Sequence, residues 1–166
     1  MKQAFTLIEL LVVILIIGIL ATVAVPQYQK AVWKSRYIQA KTLAKQIANA
    51  QEVYFMANGK YSPSLEDLDI SLPATSFTAD GKFAWFNWGY CEITANNEVD
   101  CRLRKNGEEY LIYLLGFEHS ASMSNKSVCV AVSKNRSDIN YQVCVNETNN
   151  ANDVSWGGTT TGFYYP

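Results

Sequence analysis

Residues Phe5 to Val25 read FTLIELLVVILIIGILATVAV, with a single charge, Glu9. As an α-helix this run would reach about 32 Å at 1.5 Å per residue, close to the roughly 30 Å hydrocarbon thickness of a bilayer. No polar stripe interrupts it between Leu10 and Leu20, so a half-exposed helix of a water-soluble core fits poorly. A cleaved secretory signal is the rival, with Lys2 ahead and Thr22-Val23-Ala24 as a loose cleavage triplet. Such signals carry an apolar stretch of only about 7–15 residues. Here the stretch is longer, holds a carboxylate and runs straight into Pro26. The run predicts a membrane-spanning helix.

Glu9 is the residue that demands a reason. A carboxylate inside a spanning helix costs on the order of 2.5–3.5 kcal/mol, and such groups usually face a partner or snorkel to the interface. No lysine or arginine lies within the run. Cutting the chain between Ala4 and Phe5 would create a cation, the α-amine of Phe5, whose ordinary pKa is about 8. That amine could serve Glu9 of its own chain, four residues on, or Glu9 of a neighbouring copy. The second arrangement would couple neutralisation to assembly.

The stretch Ala4-Phe5-Thr6-Leu7-Ile8-Glu9-Leu10-Leu11-Val12-Val13, followed by Pro26 and Tyr28, resembles the class III signal segment of type IV pilins and type II secretion pseudopilins. The resemblance implies a leader, Met1–Ala4, removed before Phe5 by a prepilin peptidase that also methylates the new N-terminus. It implies an assembly role for Glu9 in neutralising a neighbour's N-terminal amine. It also implies a helical homo-oligomer in which related minor subunits take part. Ala4 departs from the glycine usual before the scissile bond. The implied fold is α+β: a long helix packed against an antiparallel β-meander. The expected organisation is a leader at 1–4, a membrane and assembly helix at 5–25, a spine at 26–59 and a head at 60–166. The expected location is a bacterial inner membrane, crossed once with the head outside the cytoplasm, and then a periplasmic or surface filament. A type IV pilus and a secretion pseudopilus are both open; a membrane-tethered binding domain is the alternative of a different class.

Positive charges alone oppose that orientation. Lys30, Lys34, Arg36, Lys41 and Lys45 follow the apolar run and only Lys2 precedes it, which would put the C-terminal side in the cytoplasm. Four cysteines argue the other way, because bonded cysteines belong in an oxidising compartment.

Pro26 removes one helical hydrogen bond, and Gly18 costs about 1 kcal/mol relative to alanine in an exposed helix. A helix break is expected to be easiest at these two positions. Beyond them Gln27 to Asn58 reads as one helix, with Ala40, Leu43, Ile47, Ala50 and Tyr54 on a single stripe. Lys30, Lys34, Lys41 and Lys45 fall within about 60° of each other on another face. This ridge suits solvent, lipid headgroups or a neighbour's acidic surface. Asn58-Gly59 supplies a stop, since glycine tolerates the left-handed geometry after a helix.

The rest of the chain is punctuated as strands. Tyr61 to Leu68 reads as a turn or short helix; Phe83–Thr94, Val99–Lys105, Glu108–Leu115, Val128–Ser133 and Tyr141–Val145 are β-branched or aromatic runs between turn residues. Asn106-Gly107 predicts a type I′ hairpin. A regular ladder from that turn opposes Leu103 to Tyr110, Cys101 to Ile112 and Val99 to Leu114 on one face, and Arg104 to Glu109 on the other.

Four cysteines allow three pairings. The local pairs Cys91–Cys101 and Cys129–Cys144 are economical. A two-residue Asn96-Asn97 turn would place Cys91 opposite Arg102, so the first pair needs an odd loop or a bulge. The second pair is similar to the C-terminal disulfide loop of type IV pilins.

The composition excludes several activities. The 14 Lys and Arg against 15 Asp and Glu leave a net charge of −1, which offers nothing to the phosphate backbone of a nucleic acid. No Cys-x-x-Cys spacing supports zinc, and no metal or cofactor is expected. Asn152-Asp153-Val154-Ser155-Trp156 is faintly similar to the calcium-holding end of pseudopilins, but has too few acids for that ion. The single histidine, His119, sits between Glu118 and Ser120; adjacent residues do not build a catalytic triad. Trp85, Trp88 and Tyr90 could stack on a sugar, although aromatics at strand spacing are more often core.

Overall fold

The computed structural model describes residues 6–120, 122–149, 154–155 and 160–165. One helix, α1 (Leu7–Asn58), accounts for 52 residues. It ends at Gly59, whose φ of 70° is the left-handed cap anticipated from Asn58-Gly59. Eight strands follow: β1 (Ser76–Phe77), β2 (Phe83–Phe86), β3 (Gly89–Thr94), β4 (Glu98–Lys105), β5 (Glu108–Gly116), β6 (Ser127–Ala131), β7 (Val154–Ser155) and β8 (Thr161–Tyr164). A second helix, α2 (Ile139–Thr148), lies between β6 and β7. The strands form one antiparallel sheet in the order β1-β2-β3-β4-β5-β6-β8-β7, a meander whose last crossing carries α2. This is the α+β architecture expected from the sequence.

In the single copy the α1 helix is continuous through Gly18 and Pro26, the two positions where a break is expected to be easiest. Pro26 withholds one N–H, from the Thr22 carbonyl, but its φ is compatible with a helix. The uninterrupted bonds of the flanking turns hold the rod together.

From Trp33 onward α1 becomes the spine of the head. Trp33, Tyr37, Ala40, Leu43, Ala44, Ile47, Ala48 and Gln51 are buried, at the intervals of three and four that one face of a 3.6-residue helix requires. They pack on Leu103, Leu111, Tyr113, Cys129 and Phe163 in one core. Gln51 is the polar member. Its amide accepts from Ser62 N and donates to Ser62 O, both at 2.9 Å, which satisfies a fully buried side chain and fastens the turn after the helix. Residues 59–70 form turns rather than a helix.

The turn at Asn106-Gly107 has positive φ at both residues, 54° and 87°, as a type I′ hairpin needs. Arg104 faces Glu109 as expected, but the register shifts immediately beyond it. Leu103 pairs with Leu111, Cys101 with Tyr113 and Val99 with Leu115. Tyr110 is the extra residue of a bulge, so it and Leu111 turn toward the same core. Its carbonyl leaves the ladder and accepts from Val132 N at 3.3 Å and Asn140 Nδ2 at 3.0 Å. On the regular ladder Ile112 and Leu114 would share the face of Val99, Cys101 and Leu103, which packs on α1. The bulge sends them instead to the opposite face, where they form a second cluster with Met123, Val128 and Val130.

Cys91 and Cys101 are direct partners across β3 and β4 and are bonded, with Cα atoms 4.0 Å apart. The odd loop is there: three residues, Ala95 to Asn97, separate Thr94 from Glu98, and Asn97 takes a φ of 60°. Cys129 on β6 is bonded to Cys144 on α2. The strand expected at Tyr141–Val145 is therefore a helix. Its alternating valines suit either state over so short a run, and the outcome follows from burying Asn140, Tyr141, Cys144 and Thr148 on one side. Asn149, at φ 50°, ends it. The run Phe83–Thr94 is likewise two strands, turning at Asn87-Trp88. A Cβ on Gly89 would collide with the Arg102 carbonyl, so this position requires glycine.

Candidate functional site

From Leu7 to Val25 every residue of α1 is exposed. Leu7 is 89% exposed and Val25 51%, and no part of the head covers the most apolar 18-residue window. An apolar surface on every side of a rod has no stable place in water. Lipid or other copies of the rod must cover it.

Glu9 lies two residues inside the start of this rod. Its Oε2 accepts from Thr6 N at 2.9 Å and from Thr6 Oγ1 at 2.8 Å, while Glu9 N donates to Thr6 Oγ1 at 3.3 Å. This is a reciprocal capping box, which satisfies two donors that a helix start otherwise leaves open. Oε1 has no hydrogen bond among the described residues. Thr6 thus aims the carboxylate and leaves one oxygen available to an outside cation. Thr6 was not singled out in the sequence, although Thr-x-x-Glu before an apolar run is a legible signal for a helix start. Ala4 and Phe5, the residues of the expected cleavage and methylation, lie outside the described residues.

The lysine ridge has a partner within the chain. Lys34 Nζ is 3.3 Å and Lys41 Nζ 3.9 Å from the Glu147 carboxylate on α2, and Lys30 donates to Gln142 Oε1 at 3.0 Å. These contacts hold α2 against α1; the acidic surface sought in lipid or a neighbour is this chain's own. Tyr165 closes the same edge, with its hydroxyl 3.1 Å from that of Tyr37 and its ring 4.0 Å from Lys41 Nζ. Burial, above all, pushes both tyrosines well above the usual range.

The outer face of the sheet carries the strongest electrostatics. Asp100 on β4 is 2% exposed, and its Oδ2 lies 2.8 Å from the Arg102 guanidinium. Glu92 and Glu109 contact the same guanidinium at 3.3 and 2.6 Å. Burial outweighs the arginine and pushes the Asp100 carboxyl up to about 6; Glu92 is raised for the same reason. One guanidinium is thus shared by three carboxylates.

The aromatic trio is split. Trp88 is buried and stacked on Phe86 at 4.8 Å, whereas Trp85 and Tyr90 lie half-buried on the outer face, 4.9 Å apart. His119 packs edge-on to Phe55 at 4.5 Å, and the Ser120 hydroxyl beside it donates to Glu98. These side chains are packing elements. Among the described residues no group of His, Cys, Asp or Glu is placed to hold a metal; Asn152, Asp153 and Trp156, of the faint calcium motif, lie outside them.

Comparison with known proteins points to the same end of the chain. Residues 1–25 match the prokaryotic N-terminal methylation motif. The type IV major pilin PilA of Myxococcus xanthus is 43% identical over 70 residues, 42% of this chain and 32% of the relative. A type IV major pilin PilE1 of Neisseria gonorrhoeae is 36% identical over 73 residues, 44% of each chain. A fimbrial protein of Pseudomonas aeruginosa is 29% identical over 138 residues, covering 80% of this chain and 79% of that one. The chain therefore spans less than half the length of the first two relatives. No solved structure matches it.

Proposed function

We propose that this relative of type IV major pilins is a structural subunit of a type IV pilus-like filament. The single observation that carries the reading is the rod from Leu7 to Val25, apolar but for Glu9 and Thr22, whose hydroxyl is turned back onto the Ile19 carbonyl, and left uncovered by its own head. In the membrane, lipid covers it and the chain waits as a single-pass precursor with its head outside the cytoplasm. The two disulfides support that orientation.

Cleavage between Ala4 and Phe5 by a prepilin peptidase, followed by methylation of Phe5, leaves a charged amine at the start of the rod. Other rods then replace lipid around Leu7–Val25, and Glu9 accepts a neighbour's amine on the oxygen that Thr6 leaves free. Each copy uses different surfaces toward the copies on its two sides. Such contacts do not close into a ring but propagate as a helix. Related minor subunits with the same rod can enter the array. The relatives are major pilins and fimbrial proteins, which favours a pilus over a secretion pseudopilus.

N-terminal mass spectrometry of the protein from its native cells tests the reading. A chain beginning at methylated Phe5 is expected. A chain beginning at Val25 would mean ordinary secretion and would overturn the proposal.

A further inference from the structure

If the chain is a filament subunit, as proposed above, its heads must meet as well as its rods, and a propagating contact needs two different surfaces that fit each other. The head carries such a pair on the two flanks of α1. At about 100° per residue, Lys34 and Lys41 fall within roughly 40° of Lys30, on the flank that α2 occupies. The buried face centres roughly 70° to one side of Lys30. Gln46, Val53 and Ala57 lie beyond that face, roughly 180–220° round from Lys30 in the same sense, on the side of α1 away from α2.

That second flank is a groove between α1 and the segment after the helix. It encloses about 670 Å³ and is lined by Ala50, Val53, Ala57, Asp69 and Ile70, among others. Val53 is 62% exposed. The rim is acidic: Asp67 and Asp69 line it and both are exposed. Asp67 is tied to the Ser62 hydroxyl at 2.8 Å, whereas the Asp69 carboxylate has no partner among the described residues.

On the α2 flank the counterpart is the loop between β6 and α2, Ser133-Lys134-Asn135-Arg136-Ser137. Hydrogen bonds from Asn135 N to Ser133 Oγ at 3.0 Å and from Ser137 N to Asn135 Oδ1 at 3.1 Å fix its backbone. Lys134 and Arg136 project from it, exposed and without an ion pair among the described residues. They differ in this from Lys34 and Lys41, which Glu147 already occupies.

The two surfaces lie at different heights on the spine. The start of α2 is level with Lys30, through Gln142, whereas the groove centres near Val53. At a rise of about 1.5 Å per residue, these levels are separated by about 35 Å. The α1 rod is about 78 Å long at the same rise, so two copies offset by about 35 Å keep roughly 43 Å of helix side by side.

We infer that the Lys134–Arg136 loop of one copy docks on the acidic-rimmed groove of a second copy displaced about 35 Å along the filament axis. Arg136 and Lys134 pair with Asp69 and its neighbours at the rim, and the contact covers Val53. Each copy offers its groove to the copy above and its loop to the copy below.

The test is a charge exchange in the full-length chain, expressed in its native cells beside the wild type. Readouts are filament yield by electron microscopy and the melting temperature of the head in the purified full-length chain. Asp69→Lys alone, and Lys134→Glu with Arg136→Glu, should each cut the yield by about tenfold or more, because like charges brought together at an interface cost several kcal/mol. Melting should stay unchanged. Combining all three substitutions should restore most of the yield. Normal filaments from either reversal, or a combination no better than its parts with folded heads, would overturn the docking and leave the groove to another occupant. Failure of the wild-type chain to form filaments would instead overturn the assembly reading itself.

Discussion

The two halves of α1 share a helix and almost nothing else. Before Val25 the side chains are apolar on every side and the head covers none of them; after Trp33 they are apolar on one side and that side is buried. The first half has no polar face, which suits the hydrocarbon or packed rods of the proposed function. The second half is written for water, so it keeps the 3.6-residue pattern. One backbone thus serves two media, and substitutions in the two halves should report on different properties.

The largest contrast is between two isoleucines. Ile47 is fully buried, and Ile47→Ala should cost the head about 2–5 kcal/mol. Ile17, 59% exposed, should shift head stability by less than about 0.5 kcal/mol when replaced by alanine. Denaturant unfolding followed by tryptophan fluorescence checks both. Equal losses would show that the halves are not separate.

A pH profile sharpens the description of the head. The Asp100 carboxyl is raised from 3.8 to about 6 in the folded chain. The folded state therefore holds this proton more tightly than the unfolded state. Its contribution to stability increases as pH falls through 6 toward 4, by up to about 3 kcal/mol, and is lost as pH rises. Melting between pH 4.5 and 7.5 should show the wild type gaining on Asp100→Asn as acid is added. Parallel profiles would contradict the burial of that charge. A smaller effect concerns the ridge on α1. Glu147→Gln should cost about 0.5–1 kcal/mol, the scale of partly exposed ion pairs, with the loss shrinking in high salt. No change at low salt would mean that α2 is held by Cys129–Cys144 and packing alone.

The rod was fully legible in the sequence, because a long apolar run interrupted by one carboxylate leaves few physical solutions. The spine and the Asn106-Gly107 turn were legible too, since helix periodicity and left-handed turns have local causes. What escaped was set by distant contacts. The bulge at Tyr110 depends on the use that Val132 and Asn140 make of its carbonyl. The helical state of α2 depends on an α1 surface far earlier in the chain. The lysine ridge was visible, but Glu147 as its partner was not. Thr6 is a different kind of omission: its role is local and its capping pattern could have been read directly.

In the proposed filament assembly turns on Glu9, and one variant tests that most directly. With Glu9→Ala in the full-length chain, the head should melt at the wild-type temperature while electron microscopy finds filaments absent or far fewer. Abundant filaments of normal length from that variant would contradict the claim that a carboxylate in the apolar rod drives assembly.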